Sequence, residues 1–217
     1  MFAIIAFGAG PFLFKNDGAT VFFERRFLDC GNGGVSRSRL LVSQVGLNKT
    51  RSGILDVLIR MGAQIRERID ESGCEPMGSI EVKGGELQGI EIGGDQIPTL
   101  IDEVPILAVA GAMAKGRTVI RDAAELRAKE SDRIASTCDM VRRLGGGAEP
   151  SADGFEIVGL GWLDGGVVDS CGDHRIAMAA AVAATASRGT VTIEGAEVAA
   201  VSWPDFYETL EAVWSSR

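Results

Sequence analysis

The sequence predicts an α+β fold assembled from repeated βαβαββ units, about two and a half of them between Arg39 and Arg217. Two recurrences carry this. An apolar, alanine-rich helix followed by an alternating strand occurs in VPILAVAGAMAKGRTVIRDAAEL (Val104–Leu126) and again in IAMAAAVAATASRGTVTIEGAEV (Ile176–Val198). An amphipathic helix followed by two strands occurs in TRSGILDVLIRMGAQI and in SDRIASTCDMVRRLGGGA, with a shorter third version, SWPDFYETLEAVW, near the C-terminus.

In chain order, Thr50 is a good cap for the first amphipathic helix and Gly62 a good stop. IRERI and SIEVKG follow as strands. Asp102, in LIDEVP, stands at the mouth of the first apolar helix, which ends at Lys115-Gly116 and gives way to a strand over Thr118 to Arg121. Helices apolar on every face are buried ones. Ser131 is placed to cap the next amphipathic helix, Gly145 to end it, and Ile134, Cys138, Val141 and Leu144 share its core face. AEPS and FEIVG are its strands. GDHRIAM opens the second apolar helix, which stops at Arg188-Gly189 before a strand over Thr190 to Ile193.

Composition narrows the function classes. The chain has 217 residues, 46% hydrophobic and 24% charged, so it is globular. A net charge of -8 argues against a nucleic-acid partner, which demands a basic surface. No apolar run is long enough to span a bilayer, so no membrane role is expected. Cys30, Cys74, Cys138 and Cys171 lie far apart, which disfavours a structural zinc site and fits reduced thiols in a cytoplasm.

Seven of the nine phenylalanines precede Leu28, and no charge occurs before Lys15. Three readings fit: a signal peptide, which lacks its basic start; a buried strand or two; or a segment foreign to the rest. Residues 1–36 are accordingly set apart as an atypical N-terminal segment, with 37–217 as the domain proper.

The polar chemistry gathers at three expected helix starts: Asp102, Lys129 to Arg133, and Asp173-His174-Arg175. LRAKESDRIA (Leu126–Ala135) packs five charges into seven consecutive positions. A solvated face with weak salt bridges accounts for this minimally. However, helix N-termini are positive and attract anions, and basic residues there make sense when a strongly anionic ligand shares the site. An anion site with acid/base groups is the reading taken. For His174, the only histidine, a structural and a catalytic role stay equally open.

GLNKTRSGILDVLIRMGA, LIDEVPILAVA, AAELRAKESDRI, GDHRIAMA and SWPDFYETLEAV, in this order, resemble the EPSP synthase (3-phosphoshikimate 1-carboxyvinyltransferase) family over roughly Ser38 to Val213. The sister UDP-N-acetylglucosamine enolpyruvyl transferase family fits these motifs less well. The resemblance implies an inverse α/β barrel of the enolpyruvyl transferase type, with helices packed inside, of which this chain is most of the C-terminal domain. It implies transfer of the enolpyruvyl group of phosphoenolpyruvate to the 5-hydroxyl of shikimate 3-phosphate, the shikimate-pathway step toward aromatic amino acids, with no metal or organic cofactor.

Carried over by motif, Asp102 holds the 5-hydroxyl and takes its proton, and Glu130 exchanges a proton with the methylene carbon. Lys129 lies near shikimate 3-phosphate and protonates an oxygen, a binding and a catalytic role, and Arg133 and Arg175 clamp phosphoenolpyruvate, with His174 and Asp173 supporting the clamp. Departures accompany these matches. The Lys-Ser, Asn-Ala-Gly-Thr and Gly-Asp-x-Ser-Ser motifs of the family's N-terminal domain are absent from this sequence. FLDCGNGGVSRS replaces the expected helix upstream of Arg39, and Val201 stands where members carry lysine or threonine. Two functions follow: an enzyme working with a complementary N-terminal domain, or a non-catalytic domain that folds and binds an anion or a partner half.

Overall fold

A computed structural model describes residues 20–25, 38–48, 52–71 and 76–215. The elements are β1 (Thr20–Arg25), β2 (Ser38–Gly46), α1 (Gly53–Arg60), β3 (Gln64–Glu71) and β4 (Met77–Lys83); then β5 (Glu91–Ile92), α2 (Val104–Met113), β6 (Lys115–Ile120), α3 (Arg133–Arg143), β7 (Gly147–Pro150) and β8 (Phe155–Leu160); then β9 (Gly166–Asp169), α4 (His174–Ala186), β10 (Val191–Glu194) and α5 (Phe206–Ser215).

The middle group is one complete βαβαββ unit. Its sheet runs β5-β6-β8-β7, with β5 parallel to β6 and the other pairs antiparallel. The β9–β10 pair repeats the parallel half, Val191 opposite Gly166, and β2-β4-β3 repeats the antiparallel half. Parallel neighbours need a crossover. The buried helices α2 and α4 provide it. Beside β2 lies β1, antiparallel, with Thr20 opposite Ser43, whereas its counterpart β5 runs parallel to β6. Apart from this strand, residues 1–36 lie outside the described residues, as do Thr50, Cys30 and Cys74.

The core is helical. Ile176 to Ala183 of α4 are all buried, and so are Val104, Leu107, Val109 and the small residues Ala108, Ala110, Gly111 and Ala112 of α2. Small side chains let these helices approach closely. Gly111 shows why: a Cβ there would lie 2.9 Å from Thr118 Cβ on β6. The amphipathic α3 buries Ile134, Cys138, Val141 and Leu144 as its period predicts, and it packs on both α2 and α4. Each such aliphatic side chain contributes about 1.5–3 kcal/mol by leaving water. Among the described residues no helix is long and apolar enough to cross a membrane.

Several boundaries differ from expectation. The cap of α3 is Asp132, which accepts from the Ile134 and Ala135 amides at 3.2 and 3.1 Å, rather than Ser131. The Ser131 hydroxyl is turned to Asp173 instead. The helix α2 stops at Met113, where Ala114 is already extended, and Lys115-Gly116 belongs to β6. Gly62 and Gly145 do follow the ends of α1 and α3, at φ 101° and 86°, a left-handed backbone that glycine adopts without strain.

Candidate active site

Arg133, the first residue of α3, ties three helix starts together. Its side chain is 1% exposed. Nε donates to Asp173 Oδ2 at 2.7 Å and Nη2 to Asp173 Oδ1 at 3.3 Å. Nη1 donates to Asp102 Oδ1 at 3.0 Å, and Nη2 to Glu130 Oε2 at 2.5 Å. A cation at a helix N-terminus opposes the helix dipole. Three carboxylates from three elements offset that here and satisfy the buried guanidinium. Burial alone would lower its pKa, but the bonds from Asp173, Glu130 and Asp102 outweigh burial and hold it above the ordinary arginine value.

The carboxylates divide by exposure. Asp173 is fully buried, whereas Asp102 and Glu130 are about half exposed, at 46% and 50%, and face outward. Asp173 also caps α4, accepting from the Arg175 amide at 2.9 Å and from the Ser131 hydroxyl at 3.1 Å. Burial pushes its pKa up, and the bonds from Arg133, the Arg175 amide and Ser131 more than reverse this, so the group stays ionised below the usual aspartate range.

Among the described residues, Arg175, in the first turn of α4, makes longer contacts. Nη1 donates to the Asp102 carbonyl at 3.3 Å, Nη2 to the Asp102 carboxylate at 3.5 Å, and Nε to His174 Nε2 at 3.2 Å. His174 therefore presents an unprotonated Nε2. Burial first, then the Arg175 charge, depresses its pKa, so the ring is a neutral acceptor supporting the arginine.

Asp102, Glu130, Arg133, Asp173, His174 and Arg175 thus converge, as expected from their places at helix starts. The spacing of Asp102 from Arg175 equals that of Met113 from Ala186, so the two stand at equivalent depths when the core helices are aligned by their ends. Lys129 takes a separate partner: Nζ binds Glu125 Oε1 at 2.6 Å, and its side chain is 22% exposed. Arg127 binds Asp132 and the Ser151 and Ala152 carbonyls, pinning the loop before α3 to the β7–β8 turn. Val201 is 81% exposed.

Glu103, which sequence reasoning passed over, belongs to the cluster. Its Oε1 lies 3.9 Å from Arg175 Nη1, and only 13% of its side chain is exposed. Burial lifts its carboxyl to about 7, against a lowering influence of Arg175 and a further raising one of Asp102. The signal available in the sequence was its position beside Asp102, immediately before an all-apolar helix.

Buried crossover helices, βαβαββ units and an arginine–carboxylate cluster at the helix starts define the enolpyruvyl transferase type of fold. The enolpyruvyl transferase NikO from Streptomyces tendae shares this fold at TM-score 0.60 and 20% identity, over 80% of this chain and 38% of its own. At higher identity, 39%, stands EPSP synthase from Acinetobacter baumannii, with TM-score 0.77 over 82% of this chain and 42% of that one. The 3-phosphoshikimate 1-carboxyvinyltransferases of Synechococcus elongatus and Synechococcus sp. (strain JA-3-3Ab) are 53% and 52% identical, each over 82% of this chain and 40% of theirs. The EPSP synthase (3-phosphoshikimate 1-carboxyvinyltransferase) family model matches residues 32–210. The chain belongs to the EPSP synthase family. It spans about 40% of the length of these curated relatives.

Proposed function

We propose that this chain supplies one wall of an active site that transfers the enolpyruvyl group of phosphoenolpyruvate to the 5-hydroxyl of shikimate 3-phosphate, in the cytoplasm, with the opposite wall provided by a complementary N-terminal family domain. The observation that carries the reading is the meeting of Asp102, Glu130 and Arg175 around the buried Arg133. Two half-exposed carboxylates fixed by one guanidinium suit general acid/base work at adjacent atoms.

In this reading Asp102 takes the 5-hydroxyl proton as that oxygen bonds to C2 of phosphoenolpyruvate. Glu130 gives a proton to C3, converting methylene to methyl and leaving a tetrahedral intermediate. Glu130 then recovers a proton from that methyl as the C2–O bond to phosphate breaks. The double bond reforms, and the phosphate departs with the bonding pair. Arg175 faces the anionic groups of phosphoenolpyruvate, which guanidinium forks match, and the buried Arg133 joins it as a carboxylate partner gives way to the ligand. Lys129 exchanges Glu125 for a substrate oxygen. His174 orients Arg175.

Charge supports the need for a second wall. Four carboxylates (Asp102, Glu103, Glu130, Asp173) surround two guanidiniums (Arg133, Arg175). Such a cluster does not by itself favour a further anion. Cations from the complementary domain would tip that balance, and closure would exclude water and strengthen every electrostatic contact. We also read residues 1–36 as atypical of the family in sequence, with Thr20–Arg25 added to the sheet of the 37–217 domain.

The test is a phosphate-release assay with both substrates, on the chain alone and with an N-terminal family domain. The chain alone is expected to show no turnover at a normal rate. The pair should recover it, and E130A should reduce the recovered rate by about 10²–10⁴-fold. Substantial turnover by the chain alone would overturn the two-wall reading. Anion binding without turnover in the pair would favour the non-catalytic alternative.

A further inference from the structure

We infer that Glu103 is a positioning residue for Arg175: its carboxyl group competes with an arriving anion for the guanidinium, so that anion binding at Arg175 draws a proton onto Glu103. The inference rests on the reading of Arg175 as an anion ligand and deepens it.

The two arginines of the cluster differ in how they are held. Arg133 has bonds of 2.5, 2.7 and 3.0 Å to Glu130, Asp173 and Asp102, the lengths of strong charge-assisted bonds. The contacts of Arg175 to Asp102, His174 and Glu103 run from 3.2 to 3.9 Å. Longer contacts are weaker and exchange more readily, so Asp102, His174 and Glu103 are partners that an arriving ligand can replace at Arg175. Glu103 stands against the same nitrogen, Nη1, that bonds the Asp102 carbonyl, and both side chains are largely out of water.

Among the described residues, the charged and titratable groups around Glu103 come from three elements. Asp102 precedes it on its own turn. From α4 come Arg175 and His174, with the cap Asp173. From the start of α3 come Arg133 and Glu130. Among the described residues, Arg175 is the cation that favours the ionised form of Glu103, and burial and Asp102 oppose it. With its carboxyl titrating at about 7, Glu103 is partly protonated near neutral pH. An anion on Arg175 acts on Glu103 twice. It brings negative charge close by, and it takes up the guanidinium charge that favoured the carboxylate. Both effects favour the protonated form. By linkage, the anion then binds more tightly when Glu103 already carries its proton, and affinity falls as pH rises. A pKa change of about one unit between free and bound states corresponds to about tenfold in affinity.

Sulfate is the probe, because its charge is constant across the range in which Glu103 titrates. The carboxyl carbon of Glu103 is followed by NMR in the full chain paired with an N-terminal family domain, with and without sulfate, and sulfate affinity is measured from about pH 6.5 to about pH 8.5. His174, held below its ordinary 6.5, contributes little in this window. Glu103 should titrate near 7 and move upward in sulfate. Affinity should fall about tenfold across the window in the wild type. E103Q should be flat, at the low-pH affinity of the wild type, and E103D should restore a slope. If sulfate perturbs the Arg175 signals with the same affinity throughout, or if E103Q keeps the wild-type slope, Glu103 has no such role while the anion site stands. If sulfate moves neither Arg175 nor Glu103, the anion site itself is refuted, and the positioning role goes with it.

Discussion

Asp173 and Glu103 hold the same post in two equivalent helices. Each is the acidic N-cap residue of a buried, alanine-rich crossover helix, α4 and α2. Each lies beside an arginine of the same cluster. Yet Asp173 is saturated with bonds from Arg133, Ser131 and the Arg175 amide, while Glu103 makes no side-chain cap bond. Burial acts upward on both carboxyls. In Asp173 the bonds reverse it; in Glu103 it prevails, and the group rises to about 7. Burial alone therefore does not decide what a carboxylate does. The number and quality of its donors does: with them it is a strut, without them it is a group that titrates near neutral pH.

The largest expected effect follows from removing the strut. D173A leaves Arg133 buried with its principal partner gone and α4 without its cap. Breaking a buried, hydrogen-bonded pair in this way costs about 3–5 kcal/mol. A fall of that size should appear in the urea midpoint at neutral pH. E103Q, at the matching cap, should destabilise the fold by less than about 1 kcal/mol, because no cap bond is lost. Equal losses in the two variants would end the distinction.

The two caps should also bend the pH–stability curve in opposite senses. The folded pKa of Glu103, about 7, lies above its ordinary 4.5. Between these values the folded state holds a proton that the unfolded state has released. Stability from this group is thus fully present below 4.5, declines as pH rises, and is lost above about 7, with a total near roughly 3 kcal/mol at most. Asp173 is depressed below its ordinary 3.8. Its contribution is present above 3.8 and is lost as pH falls through the folded value. Urea titrations across this range should show the Glu103 decline in the wild type and its disappearance in E103Q. A wild-type curve with no decline toward pH 7 would mean that Glu103 is better solvated or better bonded than its surroundings indicate.

Much of this was readable from the sequence, for physical reasons that also mark where reading stops. The two crossover helices declare themselves because they are apolar on every face, and only burial tolerates that. The site declares itself because Lys129 to Arg133 and Asp173 to Arg175 crowd charges where helices begin. Local choices were less legible. Ser131 and Asp132 are both good capping residues, and Asp132 caps because the Ser131 hydroxyl is drawn to Asp173, which lies 42 residues away in sequence. Lys129 pairs with Glu125 by helical proximity, a contact weaker in sequence signal than the charge cluster around it. The tuning of Glu103 is tertiary altogether: nothing in LIDEVP fixes how much water reaches its carboxyl. The antiparallel sense of β1 depends on pairing that the composition of residues 1–36 does not encode.

Ser131 tests the strut by degrees. S131A removes the 3.1 Å hydroxyl bond to the Asp173 carboxylate and the 3.0 Å contact with the Ser136 hydroxyl while leaving both arginine contacts. The loss should be about 1.5–3 kcal/mol in urea unfolding, the range for a bond to a charged group, short of D173A. The acid limb of the stability curve should also move upward, because one of the bonds holding Asp173 ionised is gone. A loss as large as that of D173A would show that Ser131 organises the cluster rather than completing it.

The smallest effect is expected where a buried polar group has no donor or acceptor to meet. Thr137 in α3 is fully buried, and its Oγ1 has no hydrogen-bond partner among the described residues. T137V exchanges that hydroxyl for a methyl group of similar shape. The hydroxyl was desolvated on folding with nothing in return, so its removal should be neutral or stabilising by up to about 1 kcal/mol. Thr118 on β6 is also buried without a partner, but Gly111 of α2 presses on it, so an added methyl there meets packing as well as polarity. Thr137 is therefore the cleaner site. The measurement is the urea midpoint of T137V beside those of S131A and D173A. If bond count governs the worth of a buried polar group, the three should rank with Asp173 first, Ser131 second, and Thr137 at or beyond zero. A loss of more than about 1 kcal/mol in T137V would place a partner on that hydroxyl and remove the unbonded end of the series.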